Sequence, residues 1–179
     1  MKKDSIISLS ALVLMLVFSV PAIAQEQSAN KGKLQWLGDF SYFECSSHNG
    51  LTPHSVAVDY GLQYGKHFQV LVRAEREHTR LKCADGVKSW LDSANLGGGV
   101  AYYSEGSADY ASSLRLMVCN SIGSSDWQHT IYQFSMAGYA LHFGKSVCPY
   151  IETGYRYSKS HSRGLSDCSS WFLALGCNF

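Results

Sequence analysis

The sequence predicts an all-β protein, an eight-stranded antiparallel up-and-down transmembrane β-barrel. Three observations predict it: an export signal at the N-terminus, eight segments that alternate apolar and polar residues, and connections that alternate between short and long. Alternation with period two puts neighbouring side chains on opposite faces of a strand. An apolar outer face and a polar inner face are typical of strands that cross a membrane. The aromatic content of 13% also favours girdles at the membrane interface.

The N-terminus has the three parts of a signal peptide. Lys2 and Lys3 precede an apolar run over residues 6–20, and Ala-Ile-Ala ends at Ala24 before Gln25. We therefore expect residues 1–24 to be a cleaved signal peptide. An uncleaved anchor is the alternative, but the run is shorter than the roughly 20 residues of a helical span. Residues 25–33 are expected to be a polar periplasmic lead, and residues 34–179 the barrel domain.

Eight alternating segments follow the lead. They span residues 34–45, 55–65, 68–78, 93–103, 110–120, 129–143, 147–157 and 171–179. In the first three, the apolar faces carry Leu34, Trp36, Phe40 and Tyr42, then Val56, Val58, Tyr60, Leu62 and Tyr64, then Phe68, Val70, Val72 and Ala74. Polar and charged residues occupy the opposite faces, so each segment is predicted to be a strand with one face toward lipid.

The later segments follow the same rule with individual features. The fourth contains Gly97-Gly98-Gly99, which allows a bend or close packing. The fifth has Leu114, Leu116 and Val118 on one face and Ser113, Arg115 and Cys119 on the other. The sixth runs from His129 to Phe143. The seventh has Ile151, Thr153, Tyr155 and Tyr157 on one face and Glu152, Gly154 and Arg156 on the other. The eighth sets Trp171, Leu173, Leu175, Cys177 and Phe179 against small or polar residues, with Phe172 as the exception.

The connections orient the predicted barrel. Tight turns are expected at Gly65 and Gly144 and, more loosely, over 103–110. Longer polar stretches at 46–54, 79–92, 121–128 and 158–167 are predicted to be extracellular loops, because transmembrane barrels have short periplasmic turns and longer outer loops. Both mature termini are then expected in the periplasm.

The last strand ends on Phe179 and resembles the C-terminal signal by which Gram-negative outer-membrane barrels are recognised for insertion. Over the whole mature chain, the pattern resembles the small OmpA/OmpX-type barrels. The resemblance implies a location in the outer membrane. A soluble lipocalin-like barrel or a disulfide-linked sandwich would show the same alternation with its apolar face inside. The signal peptide, the terminal Phe and the rhythm of turns and loops favour the membrane interpretation.

Eight charged residues fall on the predicted inner face. They are Asp39, Asp59, Arg73, Glu75, Glu77, Arg115, Glu152 and Arg156. An eight-stranded barrel is only wide enough to be filled by side chains, and buried charges are satisfied by pairing. We expect a structural plug rather than a polar pathway for ions.

Six cysteines follow the signal peptide. They are Cys45, Cys83, Cys119, Cys148, Cys168 and Cys177. An even number in an oxidising compartment favours disulfides over lone buried thiols. The predicted topology suggests three disulfides, which join Cys148 to Cys177, Cys45 to Cys168 and Cys83 to Cys119. The alternative for the last two joins Cys45 to Cys83 and Cys119 to Cys168. Strict alternation puts Cys148 and Cys177 on opposite faces, so that bridge needs a bulge or an offset.

No cofactor or metal site is predicted, because the seven histidines are scattered and the cysteines lack metal-ligand spacing. His161 and Ser162 are adjacent in a polar stretch, but no evident third group completes a nucleophilic arrangement. The sequence therefore favours a protein that is not an enzyme, with a lipid-modifying barrel enzyme as the alternative.

The expected partners follow from the predicted location. They are outer-membrane lipid and lipopolysaccharide, and a host or cell-surface protein that would bind the loops. Trp90 and Trp127 lie near the loop bases and are interpreted as girdle anchors rather than contact residues. The net charge of +1 argues against nucleic acid, and a monomer is expected.

Overall fold

The computed structural model describes residues 34–65, 67–82, 88–107, 110–140 and 148–178. The predicted signal peptide and lead, the predicted turn at Gly144, Cys83 and Phe179 lie outside these residues. The strands are β1 (Leu34–Cys45), β2 (Leu51–Tyr64), β3 (Phe68–Lys82), β4 (Lys88–Ser107), β5 (Tyr110–Ile122), β6 (His129–Ala140), β7 (Cys148–Ser160) and β8 (Cys168–Asn178). No helix among the described residues is long and apolar enough to cross a membrane.

The strands form one closed barrel in sequence order, and every neighbouring pair is antiparallel. Closure joins β1 to β8, where Asp39 pairs with Asn178 and Cys45 pairs with Phe172. The start of β1 and the end of β8 therefore lie at the same end of the barrel. This architecture confirms the predicted fold class.

The two faces of the wall differ in polarity as the alternation predicts. Each of the eight strands exposes at least one large apolar side chain, such as Val72 on β3, Leu116 on β5 and Leu173 on β8. The charged residues of the opposite face, such as Arg73 on β3 and Arg115 on β5, are buried. Since a soluble barrel would bury the apolar face instead, the outer surface is suited to lipid.

Several strands are longer than the sequence predicts. β2 begins at Leu51, so the predicted loop 46–54 is replaced by a tight turn in which His48 and Leu51 exchange backbone hydrogen bonds of 2.9 Å. Asn49 and Gly50 both have positive φ, 51° and 75°, as a two-residue hairpin turn requires. The sequence predicted a loop here because the stretch is polar, and polarity alone does not distinguish a loop from a tight Asn-Gly turn.

β3 and β4 likewise run on to Lys82 and Lys88, into the predicted loop 79–92. On β3 the outward residues are polar from Arg76 onward, so the hydrophobic alternation of that strand ends while its backbone pairing with β4 continues. The glycine run of β4 permits close packing against β5. A Cβ atom on Gly97 or Gly99 would overlap the backbone oxygen of Val118 or Leu116.

Candidate functional site

The lumen holds all eight residues that the sequence places on the inner face. Each of these side chains is buried: Asp39, Asp59, Arg73, Glu75, Glu77, Arg115, Glu152 and Arg156. They come from β1, β2, β3, β5 and β7, and they meet because period-two alternation aims them at one narrow interior.

Arg73 forms a bidentate pair with Asp59 in the lumen. Its Nε donates to Oδ1 of Asp59 at 2.6 Å and its Nη2 donates to Oδ2 at 2.7 Å. Both side chains are completely shielded from solvent. Two parallel hydrogen bonds between charged groups are among the strongest that side chains make.

Two further arginines connect strands across the barrel. Arg156 donates to Glu75 at 2.7 Å and lies 3.5 Å from Glu77. Arg115 donates to Oδ2 of Asp39 at 2.6 Å, and its Nη1 lies 3.5 Å from both Asp59 and Glu152.

Gln133 links the separate pairs into one network. Its Oε1 accepts from Arg73 at 3.1 Å and from Arg156 at 2.9 Å, and its Nε2 donates to Glu152 at 3.0 Å. The charged layer thus fills the middle of the barrel.

An apolar cluster covers one end of this layer. Leu51, Trp127 and Cys168 form its buried centre, with Leu81, Leu91 and Leu165 against it. Trp127 is fully buried, stacks on His129 with ring centroids 4.0 Å apart, and donates to Ser160 at 3.1 Å. Its predicted role as a girdle anchor is therefore wrong: its position in a connection let it turn inward over the lumen. Trp90 is 57% exposed on the outer face.

Aromatic rings close the other end. Tyr139 lies 5.7 Å from Tyr103 and 5.1 Å from Tyr150 between ring centroids. Arg115 lies above the ring of Tyr150 at 5.0 Å and donates to the hydroxyl of Tyr139. The described part of the lumen is thus packed at both ends and charged in the middle.

Residues 46–50, 123–128 and 161–167 connect strands at the Trp127 end, and we call these three connections the crown. They are tied to one another and to the strands. Asn49 donates to the carbonyl of Asp167 at 2.9 Å, and Asp126 accepts from the backbone N–H of Asp92 at 3.0 Å. Tyr157 donates to the carboxylate of Asp167, which lowers the pKa of Asp167 because the bond favours its charged form.

His161 and Ser162 both take part in these crown contacts. The backbone N–H of His161 donates to Gln128 at 2.7 Å, and its Nε2 lies 2.8 Å from Oγ1 of Thr130. Ser162 Oγ accepts from the backbone N–H of Gln128 at 2.8 Å. The hydroxyl and the imidazole thus each have a separate structural partner.

We therefore expect the double substitution His161→Ala and Ser162→Ala to leave the lipid A profile of the host cell unchanged, because neither side chain is arranged for nucleophilic attack. Mass spectrometry of lipid A from cells that express either form would measure this. Loss of an acyl-chain modification in the double variant would favour the enzyme interpretation.

The cysteines fall into two groups. Cys45, Cys119 and Cys168 are buried, while Cys148 and Cys177 are partly exposed at the opposite end, and all five have free thiols in the structure. Cys177 pairs with Pro149 and Cys148 with Asn178, which places the two cysteines on opposite faces. The disulfide pairing stays a prediction.

The sequence did not predict a pair of histidines on neighbouring strands, because nothing in the local sequence around either residue indicates it. His54 on β2 and His78 on β3 are direct cross-strand partners on the outer face, flanked by Glu44 and Asp92 in the same row. Twenty-four positions separate the two histidines, so only the strand register brings them together.

A closed antiparallel barrel with eight strands, an apolar exterior and an ion-paired interior defines a structural class, the small transmembrane β-barrels. No protein-family model matches the sequence, and no curated protein matches it. Among solved structures, the chain is similar to the Yersinia pestis outer membrane protein Ail, whose backbone structure was determined in a phospholipid bilayer nanodisc. That match has 13% identity and a TM-score of 0.43, and it covers 81% of this chain and 100% of that chain.

Proposed function

We propose that the protein is a small outer-membrane β-barrel of a Gram-negative bacterium with a structural or surface-interaction role. The observation that carries the proposal is the combination of a packed, ion-paired lumen with a crown whose connections are hydrogen-bonded to each other. The packed lumen supports a plug rather than a route for ions. The crown supports presentation of a fixed surface, since recognition tends to reside on loops carried by a rigid scaffold.

The outer wall of the barrel supports the proposed location in the outer membrane. Aromatic side chains pack against each other on the outside, with Tyr155 and Trp171 at 5.4 Å and Phe68 and Tyr102 at 5.2 Å between ring centroids. These two pairs lie toward opposite ends of the barrel, as interfacial girdles do. We infer that the crown is extracellular and that both mature termini are periplasmic, because the crown connections 123–128 and 161–167 are longer than the turn 65–67 at the other end, and transmembrane barrels carry their longer loops outside.

The partners of the proposed protein are of two kinds. Outer-membrane lipid, including lipopolysaccharide, covers the apolar wall; Arg80 and Lys82 continue the outward face of β3 above it, where they could meet lipid phosphates. A host or cell-surface protein would bind the crown. The engagement of His161 and Ser162 in crown contacts supports a role other than catalysis.

An epitope inserted at Gly164 should be labelled by antibody on intact cells, whereas the same epitope at Gly65 should be labelled only after the outer membrane is permeabilised. Both glycines have positive φ, 83° and 65°, and open space around the Cβ position, so both turns should accept an insertion.

The protein should also sediment with the outer membrane and migrate differently in gels before and after heating. In planar lipid bilayers it should give no conductance steps.

Three outcomes would contradict the proposal. Labelling at Gly65 on intact cells would reverse the orientation. Recovery of the protein in the soluble periplasmic fraction would favour the lipocalin-like alternative, and regular conductance steps would replace the plug with a pore.

A further inference from the structure

We propose that His54 and His78 bind a divalent transition-metal ion on the outer face of the barrel, near the crown. The site lies outside the lumen and is independent of the surface role proposed above. Nothing in the spacing of the two histidines along the chain indicates it.

The register of the strands brings the two imidazoles together. His54 on β2 is the direct partner of His78 on β3, and both belong to the outward face. Directly opposite residues on an antiparallel pair have Cβ atoms about 4.5–5.5 Å apart, so both rings can reach one ion. The side chains are 23% and 49% exposed, which leaves the rings accessible from solvent.

A carboxylate holds the Nδ1 atom of each ring. His54 Nδ1 lies 2.9 Å from Oε2 of Glu44, and His78 Nδ1 lies 2.5 Å from Oδ1 of Asp92. If each Nδ1 carries the proton of this bond, each Nε2 is left with its lone pair as the metal-binding atom. Carboxylates that orient histidine ligands in this way are a regular feature of metal sites and increase ligand basicity.

The two carboxylates also offset the nearby positive charge. Arg76 lies on the same face and approaches Asp92 at 3.3 Å, while Arg80 acts electrostatically on Glu44. The row Glu44, His54, His78 and Asp92 therefore balances the two arginines before any ion binds.

The ligand chemistry selects the class of ion. Imidazole nitrogens suit Zn²⁺, Ni²⁺ and Cu²⁺, with Cu²⁺ bound most tightly of the three, whereas Mg²⁺ and Ca²⁺ prefer oxygen. Water must supply the remaining ligands. No group of three His, Cys, Asp or Glu among the described residues could hold a metal, so the pair would form an open, exchangeable site rather than a closed structural one.

The test uses the mature protein in detergent micelles, without a histidine tag and with accessible thiols alkylated. Titration with CuCl₂, and separately with NiCl₂ and ZnCl₂, should show one ion per chain. The ring of Trp90 lies 6.2 Å from that of His54, so Cu²⁺ should quench Trp90 fluorescence, and Trp90→Phe should remove that component. Electron paramagnetic resonance of the Cu²⁺ form should show coupling to two imidazole nitrogens.

Substitutions distinguish the residues that bind the ion from those that only orient them. His54→Gln and His78→Gln should each abolish this binding, and Glu44→Ala should weaken it by about 10–100-fold. His161→Gln is the matched control, because that crown histidine points to Thr130. Heat-dependent gel mobility would verify that each variant is folded.

Unchanged Cu²⁺ binding in the His54→Gln and His78→Gln double variant would overturn the proposal. Binding of inorganic phosphate at this position at neutral pH, with no metal bound, would also overturn it by making the row an anion site. The epitope experiment above is unaffected by either result, so the two proposals can fail separately.

Discussion

Replacing Arg73 by methionine is expected to lower the free energy of unfolding by about 3–5 kcal/mol, because it leaves the buried carboxylate of Asp59 without its hydrogen-bonded partner. Asp59 would lose both hydrogen bonds that Arg73 donates, in a place fully shielded from water. Urea unfolding in lipid vesicles, followed by tryptophan fluorescence, would measure the change.

The double variant Asp59→Leu and Arg73→Met should recover most of the loss, since a buried ion pair can often be replaced by apolar side chains at little cost. Lys159→Met is the control for loss of a cation, because Lys159 is exposed on β7. A loss no larger than in this control would contradict the ion-paired lumen.

Arginine at Leu116 is expected to cost about 2–4 kcal/mol, because a charge near the bilayer midplane is poorly solvated. Leu116 is 53% exposed in the middle of β5, on the face suited to lipid. Urea unfolding of the vesicle-inserted barrel would measure the cost.

Ile122→Arg is the matched comparison, at the crown end of the same face and strand, and should cost only about 0–1 kcal/mol. By alternation alone, arginine at Ser113 should cost less than at Leu116. The structure makes Ser113 a poor comparison, since it is buried in the packed lumen beside Tyr139. Equal costs at Leu116 and Ile122 would contradict the membrane position of β5.

The alternation in the sequence was enough to predict the strands and their faces. Asp59 and Arg73 could be placed inside from period two alone, because a strand offers only two directions for a side chain. The same rule identified Phe172 as an inward exception. The structure gives the reason: its ring lies 5.2 Å from that of Phe43, and Arg156 lies 5.8 Å from its centroid.

Features that depend on register or on connections could not be predicted in this way. The pairing of His54 with His78 depends on the turn between β2 and β3, since a slip of one residue would move one ring to the other face. Trp127 lies in a connection, where no periodicity fixes the direction of a side chain. The extra length of β3 was not predicted because its outward residues beyond the apolar wall, Arg80 and Lys82, are polar and end the hydrophobic alternation.

The bonds across the lumen constrain how the barrel can enter a membrane. Asp59 and Arg73 lie on neighbouring strands, but Arg115 on β5 meets Asp39 on β1, and Arg156 on β7 meets Glu75 on β3. A growing sheet therefore cannot satisfy these charges hairpin by hairpin. We expect the concave face to stay in contact with water until β8 docks onto β1, so that insertion and closure of this chain are one event rather than two.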